Sequence, residues 1–418
     1  MLKKVLVQEK NIGDYRKFVS GDLMLEIEKL SESLRGKKIV HINATSQPGG
    51  GGVAEILHSL IPLMRNLKID ADWHTINPPE EFFEITNKIH NCLQSETAKI
   101  TKAEKEFYIG QSKKMASEAE KLNARLYVIH DPQPLLIPYF SKKIHPAISR
   151  IHIDLSSPNP DTWDFLFPYF KPYQKIILSI HKFMNGNLPA EKTAIFPPAI
   201  DPLAAKNSPL KKEYARMILE NLGVNPSRPI VSQVSRLDFF KDPIGVIKAF
   251  YLAKKNIPGL QLILLAQNLA KDNPCSRKIF REVKRYTKGD PDIFLFYDPK
   301  KIQYDNDILV SAVQTASDVI IQKSIKEGFG LTVTEAMWKG KAVVAGKVGG
   351  IKIQIRDGYN GYLVSTIEHC ASRVEKLLKD KTLRETFGRR ARKSAAENFL
   401  IPRLLRDHLK VAGEVMEK

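Results

Sequence analysis

The sequence predicts an α/β protein built from two doubly wound, Rossmann-like domains that face each other across a cleft. Three observations predict it. Short apolar runs alternate with helical patterns along almost the whole chain, the alternation falls into two successive sets, and each set carries a glycine loop directly between a strand and a helix. A chain of 418 residues exceeds what one hydrophobic core usually fills. The expected division is an N-terminal domain over residues 1–203 with a helical appendage at 1–35, a second domain over 204–400, and a last helix at 401–418 that packs back on the first domain.

The elements follow in order. From Asp14 onward the appendage is charged and helical, with Leu23, Ile27, Leu30 and Leu34 on one face. The first good strand is 38–43, which runs into four consecutive glycines, Gly49 to Gly52, and then an amphipathic helix from Val53 to Leu67. A second strand spans 71–76, and a mainly helical stretch runs from Phe82 to Leu122. Buried strands at 126–129 and 149–154 end beside His130-Asp131 and His152-Ile153-Asp154, and strands at 175–179 and 193–196 complete the first sheet. Pro197, Pro198 and Pro202 stiffen the connector. The second set has strands at 229–235, 261–266, 292–296, 319–321 and 342–345, with a helix from Ile244 to Asn256 and amphipathic helices from Glu368 to the end.

The totals exclude several classes. No apolar run approaches the roughly 18 residues of a membrane span, and the N-terminus lacks a signal peptide's long apolar centre. The expectation is a cytoplasmic protein. Cys92, Cys275 and Cys370 are far apart, with no paired spacing for zinc or a disulfide framework. A net charge of +19, from 65 Lys and Arg against 46 Asp and Glu, favours phosphorylated ligands. The basic residues are spread without a zinc-finger spacing or an RNA-recognition signature, so nucleic acid is a minor reading of that charge.

The chemistry concentrates in Glu327-Gly328-Phe329-Gly330-Leu331, followed by Glu335. Gly328 and Gly330 let the backbone approach a ligand, and the helix that starts there favours an anionic group at its N-terminus. Glu327 can accept hydrogen bonds from ligand hydroxyls, and Glu335, about a turn deeper, has the two oxygens that vicinal hydroxyls require. In the plain alternative Glu327 answers the helix dipole and Glu335 is a solvated helix residue. Just past the 229–235 strand stand Arg236 and Lys241, a guanidinium fork and a flexible ammonium suited to a diphosphate. Their plain alternative is surface pairing, Arg236 with Asp238 and Lys241 with Asp242. Three Asp-X-Asp triplets, at 70–72, 290–292 and 305–307, read as structural, so no metal is expected. His130, Asp131 and His152 stand at the carboxyl ends of neighbouring strands, where open α/β sheets gather their ligands, or else satisfy local turns. The dinucleotide and P-loop patterns are absent.

These motifs carry a resemblance. The run from Glu327 to Glu335 resembles the E-x7-E signature of retaining glycosyltransferase family 4 in the GT-B architecture. Arg236 and Lys241 match its phosphate pair, Gly349-Gly350 its later glycine turn and the 49–52 glycines its N-terminal loop. Residues 52–60, 130–134, 152–159, 197–203 and 326–341 are similar to the trehalose glycosyltransferring synthases and to the related trehalose phosphorylases.

The resemblance implies retaining glucosyl transfer from ADP-, UDP- or GDP-glucose to glucose, forming trehalose, with no metal or other cofactor. The alternatives are trehalose phosphorolysis or a different acceptor. By position, Glu335 would hold the ribose and Arg236 and Lys241 the diphosphate. Glu327, Gly328, Phe329, Gly330 and Leu331, with Gly51 and Gly52, would line the donor, and His130, Asp131 and His152 would lie by the acceptor and donor sugars. The catalytic set would be Glu327, Asp131, His152, Arg236 and Lys241. The first domain would then be the acceptor side and the second the nucleotide-sugar side. The expected partners are the nucleotide-sugar, glucose and trehalose, with a homodimer admitted and no membrane or specific nucleic acid. Three departures from the family pattern stand out: a glycine loop one residue longer, Ala266-Gln267-Asn268-Leu269 where relatives have glycines, and Ile151 where relatives tend to have cysteine.

Overall fold

The computed structural model describes residues 2–47, 52–266, 274–298 and 302–417. Two compact units emerge, one of residues 1–198 with 401–418 and the other of 199–400. The division falls at 198/199, five residues before the expected 203/204.

The first unit holds a seven-stranded sheet made of β1 (Leu2–Lys4), β2 (Lys38–Asn43), β3 (Asp70–Ile76), β4 (Leu126–His130), β5 (Ala147–Arg150), β6 (Lys175–Leu178) and β7 (Thr193–Ile195), in the order β1-β3-β2-β4-β5-β6-β7. All neighbours are parallel except β1, which pairs antiparallel with β3 at the edge. Strand β1 escapes the apolar pattern because two of its three residues are exposed lysines. Helices α1 (Gly21–Glu32), α2 (Gly52–Asn66), α3 (Glu80–Leu93), α4 (Lys102–Glu120) and α5 (Pro160–Leu166) surround the sheet.

Burial on both faces explains the unbroken apolar runs. Along β2, Val40 and Ile42 enter the core shared with α3, α4 and α5, which turns Ile39, His41 and Asn43 to the opposite face. The 149–154 strand of the sequence reading is corrected to Ala147–Arg150. After Arg150 the chain leaves the ladder, because the His152 amide donates to the Asp131 carboxylate at 2.7 Å.

The second unit holds β8 (Ile230–Val234), β9 (Gln261–Leu265), β10 (Ile293–Phe296), β11 (Val319–Gln322), β12 (Ala342–Gly346) and β13 (Tyr362–Val364), all parallel, in the order β10-β9-β8-β11-β12-β13. Its helices are α6 (Lys212–Asn221), α7 (Pro243–Lys254), α8 (Pro274–Thr287), α9 (Asn306–Ala316), α10 (Leu331–Trp338), α11 (Ile351–Gln354), α12 (Ile367–Lys379) and α13 (Lys381–Asn398). Val231, Leu262, Leu264 and Ile321 face one core, while Ile230, Ile263 and Leu265 face the other. The sequence reading had no strand at β13, which is only three residues long.

The final helix, α14 (Ile401–Met416), belongs to the first unit and lies against α1 and α2, with Arg406 Nη1 2.8 Å from Glu26 Oε2. In each sheet the strand order reverses at one place, between β2 and β4 and between β8 and β11. Ligand crevices of open α/β sheets form at such points. Among the described residues no helix is long and apolar enough to cross a membrane.

Candidate functional site

In the second unit the loops leaving β8 and β11 meet at the reversal point. The β8 loop is built on Gln233, whose buried amide donates to the Lys241 carbonyl at 2.7 Å, and on Asp238, which accepts from the Phe240 amide at 2.8 Å. Asp242, at φ 49°, caps α7 by accepting from Gly245 N at 2.9 Å. The β11 loop joins this one through Ile325 N donating to Phe240 O at 2.9 Å and through Lys241 Nζ, which lies 2.5 Å from Glu327 Oε2. Ser324 Oγ reaches the same Glu327 oxygen at 3.2 Å. The plain alternative for Lys241 therefore fails: its partner is Glu327, while Asp242 pairs with Lys323. Arg236 does face Asp238, but at 3.9 Å and with its side chain 55% exposed, so the guanidinium is open to a ligand.

Gly330 takes φ 88° and caps the N-terminus of α10 with no side-chain bond. Leu331 opens the helix half-buried, and the Phe329 ring packs on Phe399. Three later glycines hold this corner. A Cβ on Gly346 would overlap the Ser324 carbonyl, one on Gly349 the Glu327 carbonyl, and one on Gly350 the Gly328 carbonyl and Phe329 backbone. Gln354, buried, donates to Phe329 O at 2.6 Å and accepts from Thr334 Oγ1 at 2.7 Å, so one side chain joins the glycine loop to α10.

Glu335 is 1% exposed. Its Oε1 stands 2.6 Å from Lys206 Nζ, and its Oε2 finds no hydrogen-bond partner among the described residues. Burial lowers the pKa of neighbouring Lys339 to about 8, against the opposing charges of Glu335 and Asp307, and burial raises that of Asp307. The solvated-residue alternative for Glu335 is thus corrected, since its oxygens face the protein interior. Such a carboxylate calls for donors, and a pair of hydroxyls would supply them.

The Asp-X-Asp triplets are engaged locally. Asp72 pairs with Lys4 and Arg65, Asp290 and Asp292 both pair with Lys254, and Asp305 caps α9 through the Asp307 amide. Among the described residues no group of His, Cys, Asp and Glu is placed to hold a metal.

In the first unit the predicted residues meet at the ends of β4 and β5. Asp131 adopts φ 62°, a left-handed turn that Asp tolerates better than most residues, and its amide donates to Arg150 O at 2.9 Å. The residue as a whole is partly exposed, and burial of its carboxyl group pushes the pKa up to about 7 against the opposing effects of the His152 amide and Arg150. His152 is partly exposed as well, whereas His130 is 1% exposed and has both ring nitrogens engaged, by His41 at 3.0 Å and His152 at 3.2 Å. His130 therefore has no ring nitrogen left for a ligand. Gly52 opens α2; Gly49 to Gly51 and Gln267 to Leu269 lie outside the described residues. Ile151 is buried, its amide on Ile177 O.

Residues 41–185 match the family model of the trehalose synthase N-terminal domain, and 216–394 that of the glycosyl transferases group 1. Across the full chain, the trehalose synthase of Pyrococcus horikoshii is 39% identical over 97% of each protein. The chain belongs to the trehalose synthase family. As a member of the trehalose synthase family it is a glycosyltransferase with the GT-B fold of two parallel-sheet, Rossmann-like domains. A trehalose phosphorylase of Pleurotus pulmonarius is a more distant relative of this trehalose synthase family chain, 28% identical over 85% of the chain and 54% of the phosphorylase. Among solved structures, the Escherichia coli trehalose-6-phosphate structure bound with UDP-2-fluoro glucose shares the fold, with a TM-score of 0.73 at 14% identity over 91% of this chain and 99% of its own.

The sequence reading did not find Lys206, Lys323, Gln354, His41 or Arg150. A polar residue inside the apolar β2 run was the available signal for His41. For Lys206, which precedes α6 in the second unit, the sequence has no signal at all.

Proposed function

We propose that the protein transfers glucose, with retention of configuration, from a nucleoside-diphosphate glucose to free glucose and so forms trehalose. The carrying observation is the buried Glu335 carboxylate, with an oxygen lacking a hydrogen-bond partner, one turn below a glycine-opened helix N-terminus. A ribose diol would satisfy that carboxylate while the diphosphate lies toward the α10 amides. Lys241 uses one N–H on Glu327, so two remain for phosphate oxygens, and the exposed Arg236 fork adds a bidentate clamp.

In this reading the cations stabilise charge that develops on the leaving diphosphate. The leaving oxygen takes the acceptor's proton on the same face of the sugar, so no separate base is required. Glu327, held by Lys241 and Ser324, accepts from donor-sugar hydroxyls, and Asp131 and His152 bind sugar hydroxyls from the first unit. No residue in this scheme calls for a metal.

The test is to incubate the purified protein with ADP-, UDP- or GDP-glucose plus glucose and identify the product by NMR. The expected product is a non-reducing 1,1-linked disaccharide with α configuration at both anomeric carbons. Its absence with every donor overturns the proposal. The phosphorylase relative supports a second reading, in which the same cations hold inorganic phosphate. Glucose 1-phosphate formed from trehalose and phosphate, without nucleotide, would favour it.

A further inference from the structure

Three histidines of the first unit, His41, His130 and His152, stand on or just past adjacent strands and step toward the carboxyl end of the sheet. His41 lies within β2, His130 ends β4 and His152 follows β5. Their rings are stacked, with centroids 5.3 Å and 5.5 Å apart and interplanar angles of 27° and 16°. The hydrogen bonds run head to tail: His41 Nδ1 meets His130 Nε2, and His130 Nδ1 meets His152 Nε2.

A neutral imidazole carries one N–H and one lone pair, so both links must point the same way. Burial keeps all three rings neutral near pH 7, with His41 lowered to about 3 and His130 and His152 well below the ordinary value. The charged or titratable groups that face the cluster are Asp131, Arg150, Arg403, Asp407 and His408. The remaining nitrogen of the inner ring decides the direction. His41 Nε2 is buried and has no partner among the described residues. If the protons ran inward, this atom would be an orphaned buried N–H, which folded proteins almost never tolerate. If they run outward it is only an unused lone pair, which costs less.

We propose that His41 and His130 form a one-way relay that fixes His152 as the Nδ1–H tautomer, so that its outer nitrogen donates a hydrogen bond to a sugar oxygen and cannot serve as a base. His41 and His130 are positioning residues, and His152 is the residue that touches substrate. The inference rests on the reading above in one respect, that His152 faces a sugar; the tautomer itself does not depend on it.

The experiment is long-range proton–nitrogen correlation NMR on the full-length, ligand-free protein labelled with 15N at histidine, with peaks assigned by single His→Phe variants. The expected result at pH 7.5 is Nδ1–H with a bare Nε2 at positions 41, 130 and 152. In His130→Phe, His152 loses the donor that holds its Nε2 and turns predominantly to the Nε2–H tautomer that free histidine prefers. In that variant kcat for disaccharide formation falls roughly tenfold, the size of one neutral hydrogen bond, with the KM for the nucleotide-sugar little changed. An Nε2–H or an imidazolium at any of the three positions in the unmodified protein overturns the relay. So does a His130→Phe protein that retains Nδ1–H at His152. Should that variant not fold, the spectrum of the unmodified protein decides the matter by itself. Failure to form trehalose with any donor would overturn the proposed function and leave the tautomers as measured, so the two failures are distinguishable.

Discussion

Lys241 Nζ lies 2.5 Å from Glu327 Oε2, and this ion pair ties the loop after β8 to the loop after β11 at the point where the strand order of the second sheet reverses. Both side chains are largely buried, at 17% and 9% exposure. Removing one partner of such a pair leaves a charge without its counter-ion, which costs about 3–5 kcal/mol, whereas removing both costs much less. Lys241→Met should therefore lower the unfolding midpoint, and Lys241→Met with Glu327→Gln should recover much of that loss. Activity should stay at least a hundredfold down in both. Denaturant melts and initial rates on the two variants check this; full rescue of activity by the double change would make the pair purely structural.

Glu335 makes a separate prediction about the nucleotide. Glu335→Ala removes the oxygens assigned to the ribose and should weaken nucleoside-diphosphate binding roughly tenfold to a hundredfold. Binding of trehalose, which the proposed ribose contact does not touch, should be unchanged. Calorimetric titration with ADP, UDP and GDP measures the first effect, and unchanged nucleotide affinity would remove Glu335 from the donor site.

Gly349 tests how the corner is braced. Its φ of 43° already disfavours a side chain, and a Cβ there would overlap the Glu327 carbonyl oxygen. Gly349→Ala must push the 327–329 backbone away from its place, with a loss of about 2–4 kcal/mol and a marked fall in kcat. Gly413→Ala, in α14 with open space around it, should leave kcat unchanged and raise stability by up to about 1 kcal/mol. Equal melting temperatures and rates for the two variants would contradict this account.

The buried histidines set a pH dependence of stability. His41, His130, His152 and His408 all have folded pKa values lowered by burial, to about 3 for His41. Below the unfolded value of 6.5 the unfolded chain binds protons that the fold excludes. Their contribution is complete above pH 6.5 and is lost as the pH falls. Asp131 works in the opposite sense: raised to about 7, it holds a proton that the unfolded chain has shed, so its contribution is present below pH 3.8 and disappears as the pH rises through 7. Four groups outweigh one, and the melting temperature should fall steadily from pH 6.5 to 4.5, each histidine adding up to about 1.4 kcal/mol per pH unit. His408→Phe, beside Phe196, should reduce that slope by about one proton. A flat profile, or the same slope in the variant, would show that these rings titrate normally.

Much of the fold was legible because parallel strands buried on both faces write themselves as continuous apolar runs, and eleven of the thirteen strands among the described residues were expected near their observed places. The exceptions have physical causes. Strand β1 is an edge strand with exposed lysines, β13 is too short to show a period, and the 149–154 run contains a strand end because Asp131 captures the His152 amide. Arg236, Lys241 and Glu327 were singled out by residue type and spacing at strand ends, as were Glu335, Asp131 and His152.

By itself, then, the sequence determined the α/β class, the two parallel sheets and the residue types gathered at their carboxyl ends, since strand and helix patterns and glycine positions are local properties of the chain. Only the tertiary structure decided the pairings: Lys241 with Glu327, Lys206 with Glu335, and His41 through His130 to His152, across separations of 86, 129, 89 and 22 residues. Ion pairs and imidazole chains depend on the three-dimensional register of strands and loops, and no short-range pattern records which distant side chain will stand within hydrogen-bond reach.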